Sequence, residues 1–176
     1  GQSKKIMVLA GQLNPNPALE KALAAFVSKT GAVVLYEYLS NLHSEQFVGS
    51  IDALMAAVLE ENTTDYNPDL LITLGGQFVS KSLKQFLRKS KPVEHWHLSL
   101  SAKHFDTYQS LTKVVQTEAS DFFESLAGQE KQTSSDYLNL WKNKETRVNQ
   151  LRDEFVAKAE FSDLKAFELI GKNIPE

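Results

Sequence analysis

Apolar positions along the chain fall into two patterns, short unbroken runs and longer stretches with helical spacing. The runs at 6–10, 32–39 and 70–74 are mostly apolar, as expected for strands that are covered on both faces of a sheet. The stretches between them place apolar residues three and four positions apart, which predicts amphipathic helices. This alternation of strand and helix is typical of an α/β domain with a parallel sheet.

Capping residues and helix breakers mark the ends of the predicted helices. Asn16 can cap the first helix, Pro17 suits its first position and Gly31 ends it. Ser44 can cap the second helix, and Pro92 ends the third. These signals place one helix after each of the first three strands.

The third helix is predicted to run from Val79 to about Lys89. Its apolar positions define one face, which we expect to be buried and which consists of Val79, Leu83, Phe86 and Leu87. The elements expected after it are a strand at 94–100, a polar loop at 101–110, a strand at 111–116 and a helix at 119–127.

From Asp136 onward only helical spacing remains. One apolar face carries Trp141, Val148, Leu151 and Phe155, and another carries Leu164, Phe167 and Ile170. We predict an α/β domain over 1–127, built as a three-layer, doubly wound and mostly parallel sheet of about five or six strands. A polar linker and helical tail over 128–176 are predicted to lead toward a following domain of a longer protein.

Composition narrows the class of protein. The 176 residues suffice for one domain with a sizeable core, and a net charge of -3 with only three arginines argues against nucleic-acid binding. No cysteine is present, which excludes disulfides and thiolate chemistry and fits a reducing cytoplasm. No apolar run approaches the roughly 20 residues of a membrane span. We therefore expect a cytoplasmic protein without a membrane span.

Gly75 and Gly76 follow the third strand, at the edge where open α/β sheets bind ligands. The complete dinucleotide fingerprint needs a third glycine, and this chain lacks it. Two glycines after a strand more often mark a tight turn with close packing. Dinucleotide binding is therefore the weaker interpretation.

His95 and His97 lie two positions apart on a predicted strand, so both imidazoles could reach one metal ion. No third ligand is evident nearby, because Glu94 points to the other face. The alternative is that Trp96 packs in the core while both histidines form hydrogen bonds on the opposite face. His43 and His104 are expected in solvated loops.

Lys81 lies in the first turn of its helix, where a cation is slightly unfavourable. That position mildly indicates an anionic partner, although a solvated lysine is the simpler interpretation. Neither a Ser-His-Asp set nor a carboxylate pair can be assembled from local spacing, so no catalytic residue is predicted.

Three segments together resemble a known family. They are 68–88, which contains the glycine pair and the step from Ser80 to Lys81, then 94–97 with the sequence Glu-His-Trp-His, and finally 105–112. The residues at 8–12, with Pro17 and Leu19, also fit. This combination is similar to the central domain of the thiamine-diphosphate-dependent 2-succinyl-5-enolpyruvyl-6-hydroxy-3-cyclohexene-1-carboxylate synthases of menaquinone biosynthesis.

The resemblance implies a fold related to nucleotide-binding domains and a full-length transferase. That enzyme would decarboxylate 2-oxoglutarate on thiamine diphosphate and add the succinyl unit to isochorismate. The cofactor-activating glutamate and the motif for magnesium and diphosphate belong to the flanking domains of this family. We therefore expect this domain to be inactive alone and to bind neither thiamine diphosphate nor magnesium. The full-length enzyme is expected to be a homo-oligomer.

The resemblance also implies a role for Ser80 and Lys81. They match the family's step at the edge that faces the active site, and we predict that they bind the anionic substrates. Some members carry an arginine at the next position, where this chain has Ser82. Lys81 is then the main local cation for the substrates.

Two other interpretations stay open. The chain could be the central domain of a different thiamine-diphosphate carboligase that retains an adenine-nucleotide site. It could also be a stand-alone, non-catalytic binding domain. Ligand-induced stabilisation by ADP or FAD would distinguish the first of these.

Overall fold

Five short strands form one parallel sheet in the computed structural model, which describes residues 5–61, 63–101, 105–127 and 135–174. The strands are β1 (Ile6–Ala10), β2 (Val33–Tyr36), β3 (Leu70–Leu74), β4 (Glu94–Leu98) and β5 (Lys113–Val115). Their order in the sheet is β2-β1-β3-β4-β5, and every adjacent pair is parallel. The predicted parallel α/β sheet is confirmed, with five strands in the described residues.

Six α-helices lie within the same ranges, and the first five of them cover the two faces of this sheet. They are α1 (Pro17–Thr30), α2 (Ile51–Leu59), α3 (Lys81–Ser90), α4 (Ala119–Ala127), α5 (Asp136–Lys158) and α6 (Asp163–Asn173). Residues from α2, α3 and α5 share one core cluster, and residues from α1 and α4 pack in the other. The domain therefore has the predicted three layers.

The unbroken apolar runs are explained by this layering. In β1, Met7 and Leu9 join one core cluster, whereas Val8 and Ala10 join the other. Side chains alternate between the faces of a strand, so a strand covered on both faces needs an apolar residue at every position. All five residues of β3 are buried for the same reason.

The signals at the ends of α1 act as predicted. The side chain of Asn16 accepts a hydrogen bond from the backbone N–H of Leu19 at 3.0 Å. Pro17 is the first helical residue, and Gly31 ends the helix with a φ of 65°, a left-handed conformation that glycine adopts without strain. Sequence signals that act within one turn were sufficient here.

The predicted start of the second helix was wrong. Ser44 does not cap a helix, because α2 begins at Ile51. Val48 lies between them and pairs with the edge strand β2: its backbone N–H donates to Val34 and its carbonyl accepts from Tyr36. A segment that extends the sheet edge cannot also be helical, so the helix starts only after it.

The predicted start of α3 was also two residues early. The helix begins at Lys81 with Ser80 as its N-cap, and Val79 is 61% exposed. Val79 therefore does not belong to the buried face, which is formed by Leu83, Phe86 and Leu87. The cause is a long-range contact: the carboxylate of Glu37 accepts the backbone N–H groups of Val79 and Ser80 and holds residue 79 outside the helix.

The first half of α5 is anchored in the core. Trp141 is fully buried and packs edge to face against Tyr66, Phe86 and Tyr137. The hydroxyl of Tyr137 donates to the carbonyl of Tyr66 at 2.8 Å. Farther along, Leu151 is 47% exposed and Phe155 is 63% exposed, so this part of the predicted apolar face is not covered by the core. The division of the chain at residue 127 remains a prediction, although α5 contributes to the layer beside α2 and α3.

Candidate functional site

A cleft of about 390 Å³ lies at the carboxyl ends of β1, β3 and β4. The chain leaves β1 toward β2 on one side, and β3 lies on the other, so the strand order changes direction at this point. Open α/β sheets bind ligands at such a switch point because the loops after the two strands diverge and leave a crevice. The position is therefore the expected one for a ligand.

Gly11, Gly75 and Gly76 line the cleft and bring the loop after β1 against the loop after β3. The N–H of Gly11 donates to Leu74 at 3.0 Å, and the N–H of Gly76 donates to Gln12 at 2.8 Å. A Cβ atom on Gly11 would lie 2.0 Å from the carbonyl oxygen of Gly76, and Gly75 has a φ of 75°. The glycine pair thus forms the tight turn with close packing that the sequence indicated.

The floor of the cleft is a hydrogen-bonded chain of polar side chains. The hydroxyl of Thr73 lies 3.0 Å from Nε2 of His95 and 2.9 Å from Nδ1 of His97. Nδ1 of His95 lies 3.2 Å from the hydroxyl of Ser110. The hydroxyl of Thr73 has one proton and can donate it to only one acceptor, either one of the two imidazoles or the carbonyl of Trp96 at 3.5 Å, so at least one neutral ring donates to its oxygen.

Burial keeps His95 neutral. It lowers the pKa of His95 from 6.5 to about 4, with His97 acting in the same direction and Asp106 opposing it. The rings of His95 and Tyr108 also pack edge to face, and burial raises the pKa of Tyr108. His95 is therefore an uncharged hydrogen-bonding group near neutral pH.

The hydrogen-bonding interpretation of the two histidines fits this geometry. Both rings bind the same hydroxyl, and Trp96 packs on the opposite face of the sheet. Within the described ranges no three His, Cys, Asp or Glu residues are grouped so that they could hold a metal ion. His43 is exposed as expected, and His104 lies outside the described residues.

One wall of the cleft is cationic. Lys84 and Arg88 line it from α3, and Nε of Arg88 donates to the carbonyl of Thr107 at 2.8 Å. Sequence reasoning missed these two residues, although a signal was present. Lys81, Lys84 and Arg88 are spaced by three and four positions, which places three cations along one stripe of the helix.

Lys81 itself is exposed at the start of α3 and is not among the residues that line the cleft. Ser80, immediately before it, is 2% exposed and serves as the N-cap. Its hydroxyl donates to the carboxylate of Asp52 at 2.6 Å and accepts from the N–H of Leu83 at 3.3 Å. The structure thus separates the two predicted residues into a buried cap and an exposed cation.

A carboxylate from the end of β2 holds the turn before α3. The two oxygens of Glu37 accept the backbone N–H groups of Val79 at 2.7 Å and Ser80 at 2.8 Å. The N-terminus of a helix is a natural anion site, and here an acidic side chain of the same domain occupies it. Sequence reasoning missed this contact, because Glu37 lies inside the run predicted as a strand.

No helix in the part of the chain that the structure describes has both the length and the apolar content to cross a membrane. This agrees with the hydropathy of the sequence.

Comparison with known proteins identifies the family. Residues 2–176 match the family model described as the middle domain of thiamine pyrophosphate enzymes. Among curated relatives, the 2-succinyl-5-enolpyruvyl-6-hydroxy-3-cyclohexene-1-carboxylate synthase of Flavobacterium psychrophilum is 35% identical over 98% of this chain. The proteins of the same name from Flavobacterium johnsoniae and Porphyromonas gingivalis are 35% and 32% identical, each over 99% of it.

The chain spans 31% of the length of each of these relatives, so flanking domains of the same polypeptide are implied. The family match covers residues 2–176 of this chain. It includes the carboxyl ends of the strands, the turn at Gly75 and Gly76, and the start of α3. The chain belongs to the middle-domain family of thiamine pyrophosphate enzymes.

Proposed function

We propose that this chain is the middle domain of a 2-succinyl-5-enolpyruvyl-6-hydroxy-3-cyclohexene-1-carboxylate synthase. The full-length transferase decarboxylates 2-oxoglutarate and adds the succinyl unit to isochorismate, a step of menaquinone biosynthesis in the cytoplasm. The observation that carries this proposal is the shared name of the relatives, together with identities of 35% along almost the whole chain.

In this proposal the flanking domains hold thiamine diphosphate and Mg²⁺, and the complete enzyme is a homo-oligomer. We expect the described residues of this domain to bind neither group. The N-terminus of α3, where a diphosphate could bind, already accommodates the Glu37 carboxylate. Nor do these residues include a three-membered group suited to a metal ion. The domain's contribution is to line the active site and support the other domains.

Lys81 is the residue of this domain that we propose to contact substrate. Its exposed ammonium group lies at the carboxyl edge of the sheet, where a flanking domain can present a bound anion. Isochorismate and 2-oxoglutarate both carry carboxylates, and a charge-assisted hydrogen bond to one of them is worth about 1.5–3 kcal/mol.

Ser80 belongs to the same proposed site. Because its hydroxyl is engaged by Asp52 and by the N–H of Leu83, its contribution is to fix the turn that presents Lys81. Glu37 supports that turn from the other side through the backbone. A turn fixed by hydrogen bonds and an exposed ammonium group together suit a lysine that must contact a substrate carboxylate in one position.

The test of the proposed function is an assay of the full-length protein with thiamine diphosphate and Mg²⁺. We expect the consumption of isochorismate to depend on 2-oxoglutarate and to release one CO₂ per product formed. An enzyme that decarboxylates a different 2-oxo acid and leaves isochorismate untouched would contradict the substrate assignment. The 176-residue chain alone is expected to show no saturable heat of binding with thiamine diphosphate and Mg²⁺.

A second candidate is an adenine-nucleotide site in the cleft, as in a related carboligase. The supporting observation is the volume of about 390 Å³ at the switch point, with Lys84 and Arg88 on one wall. Thermal unfolding with ADP or FAD tests it, because a ligand that binds only the folded state raises the melting temperature. An unchanged melting temperature at millimolar ligand would exclude this candidate.

A further inference from the structure

The helix α6 exposes one continuous apolar stripe. No residue of α6 is buried, and the large apolar side chains along it are all about half exposed or more. The stripe, including the residues that flank the helix, consists of Phe161, Leu164, Phe167, Ile170 and Ile174. These positions repeat every three or four residues, which is the spacing of a helix face that packs against a partner.

The other side of α6 carries Leu169, which is 47% exposed, and attaches the helix to α5 through polar contacts. Nζ of Lys165 donates to the carbonyl oxygens of Val156 at 2.6 Å and Ala157 at 3.1 Å, near the C-terminal end of α5. Lys172 and Glu168 form an ion pair at 2.8 Å on the same side of the helix. No residue of the stripe belongs to, or packs against, either core cluster of the described residues.

Polar contacts of this kind are too weak to maintain an 11-residue helix in water. Isolated helices shorter than about 12–15 residues are marginal even with favourable sequences, and most helical stability in proteins comes from packing of the apolar face. The N-cap, in which the hydroxyl of Ser162 accepts from the N–H of Lys165, raises the equilibrium constant for helix formation by only a factor of about five. A partner that covered the stripe would therefore supply the packing that a helix of this length needs for full stability.

We infer that the stripe of α6 packs against the domain that follows this one in the full-length enzyme. A middle domain has a neighbour on each side, and the relatives are about three times as long as this chain. The following domain belongs to the same polypeptide, so its effective concentration at the stripe is high. This inference rests on family membership and holds whichever substrates the enzyme uses.

A second copy of this chain is a poorer occupant. Stable interfaces between proteins bury about 800 Å² on each partner, a contribution of roughly 20–30 residues. One face of an 11-residue helix supplies far fewer, whereas a covalently linked domain needs no such area to remain in contact. The short helix suits an interdomain contact within one polypeptide.

Hydrogen exchange tests this assignment directly. We expect the amides of 163–173 to exchange at least about tenfold more slowly in the full-length enzyme than in the 176-residue chain. In the full-length enzyme, Phe167→Ser combined with Ile170→Ser should bring their exchange close to the rates of the 176-residue chain. The amides of β1 and β3 should keep their protection in every case, because their core does not include α6.

Val93→Ser is the matched control. Val93 is 76% exposed at the start of β4 and far from α6 in sequence, so its replacement removes an exposed apolar group without touching the stripe. This variant should leave 163–173 protected. Should the double variant fail to fold, the milder Phe167→Ala variant and the comparison of the two wild-type proteins still give an answer.

Three results would overturn the inference. Equally fast exchange of 163–173 in both wild-type proteins would mean that nothing covers the stripe. Equally slow exchange in a monomeric 176-residue chain would mean that α6 needs no partner. Protection that rises with the concentration of the 176-residue chain, in parallel with dimer formation, would assign the stripe to a second copy.

Discussion

The carboxylate of Glu37 accepts the backbone N–H of Ser80 at 2.8 Å, although 43 positions separate the two residues. Its other oxygen accepts the N–H of Val79 at 2.7 Å. The end of β2 is thus tied to the segment that connects β3 to α3, although β1 separates β2 from β3 in the sheet. The partial positive charge of the helix N-terminus is balanced inside the domain.

Replacement of Glu37 by glutamine tests this tie. The new side chain would keep one acceptor oxygen, but its amide group would face an N–H group and the charge would be lost. We expect the free energy of unfolding of the 176-residue chain to fall by about 1–3 kcal/mol in urea titrations. Glu118→Gln, a change at an exposed residue, should alter it by no more than about 0.5 kcal/mol. Equal losses in the two variants would contradict a special role for Glu37.

Lys81→Ala is predicted to reduce catalysis by the full-length enzyme without unfolding it. Truncation of an exposed side chain changes stability by about ±0.5 kcal/mol, whereas loss of a charge-assisted hydrogen bond costs roughly tenfold to a hundredfold in kcat/KM. Lys89→Ala, at another exposed lysine of α3, should leave kcat/KM unchanged. A Lys81→Ala enzyme with wild-type kcat/KM for both substrates would make Lys81 an ordinary surface lysine. A variant that is inactive only because it melts early would also count against the prediction.

The low pKa of His95 predicts a loss of stability in mild acid. The folded state holds His95 neutral down to about pH 4, whereas the unfolded chain protonates it near pH 6.5, so the unfolded state binds more protons between these values. Above pH 6.5 His95 does not lower the free energy of unfolding in this way. As the pH falls from 6.5 toward 4, protonation of His95 in the unfolded chain lowers the free energy of unfolding by up to about 3 kcal/mol in total.

His95→Gln isolates that contribution. The variant should be less stable than wild type at pH 7, because the hydrogen bonds to Thr73 and Ser110 are disturbed. The difference in free energy of unfolding between wild type and variant should shrink as the pH falls from 6.5 to 4. Glutamine does not titrate, so only the wild type is destabilised by protonation at position 95. Parallel curves across this interval would show that His95 titrates normally in the folded protein.

Gly11→Ala is predicted to destabilise the domain by more than about 1 kcal/mol, through overpacking. The new methyl group would meet the carbonyl oxygen of Gly76 at 2.0 Å, and that oxygen belongs to the backbone of a tight turn. Gly171→Ala is the control, because a Cβ atom there meets nothing within 4 Å and alanine favours the helix. The melting temperature of the Gly11→Ala variant should fall, whereas that of the Gly171→Ala variant should stay the same or rise. Tolerance of both substitutions would mean that the two loops are not in firm contact.

Local patterns predicted most of the fold. Unbroken apolar runs located β1 and β3, and a capping asparagine followed by proline located α1 to the residue. The starts of α2 and α3 were missed because each is set by a distant partner, the sheet edge at Val48 and the carboxylate of Glu37. Contacts between residues far apart in sequence leave no periodic trace within one segment.

In the candidate site too, features set by neighbouring residues were predictable, whereas features set by distant residues were not. The glycine turn and the sheet edge follow from the sequence, because strand, glycine and helix occur there in order. The cleft does not, because Lys84, His95 and Tyr108 come from different elements and meet only through the fold. A stripe of cations at helical spacing on α3 was the one local signal that could have indicated this wall.

The two tryptophans of the chain lie on opposite faces of the sheet. Trp141 is fully buried beside α2 and α3, whereas Trp96 is only partly buried, packs against the α1 and α4 layer and has the ammonium group of Lys113 5.4 Å from its ring centre. Each layer therefore contains its own tryptophan, one shielded from water and one partly exposed to it. A single-tryptophan version of this domain would report the unfolding of one layer at a time, so spectroscopy alone can decide whether the two layers come apart together.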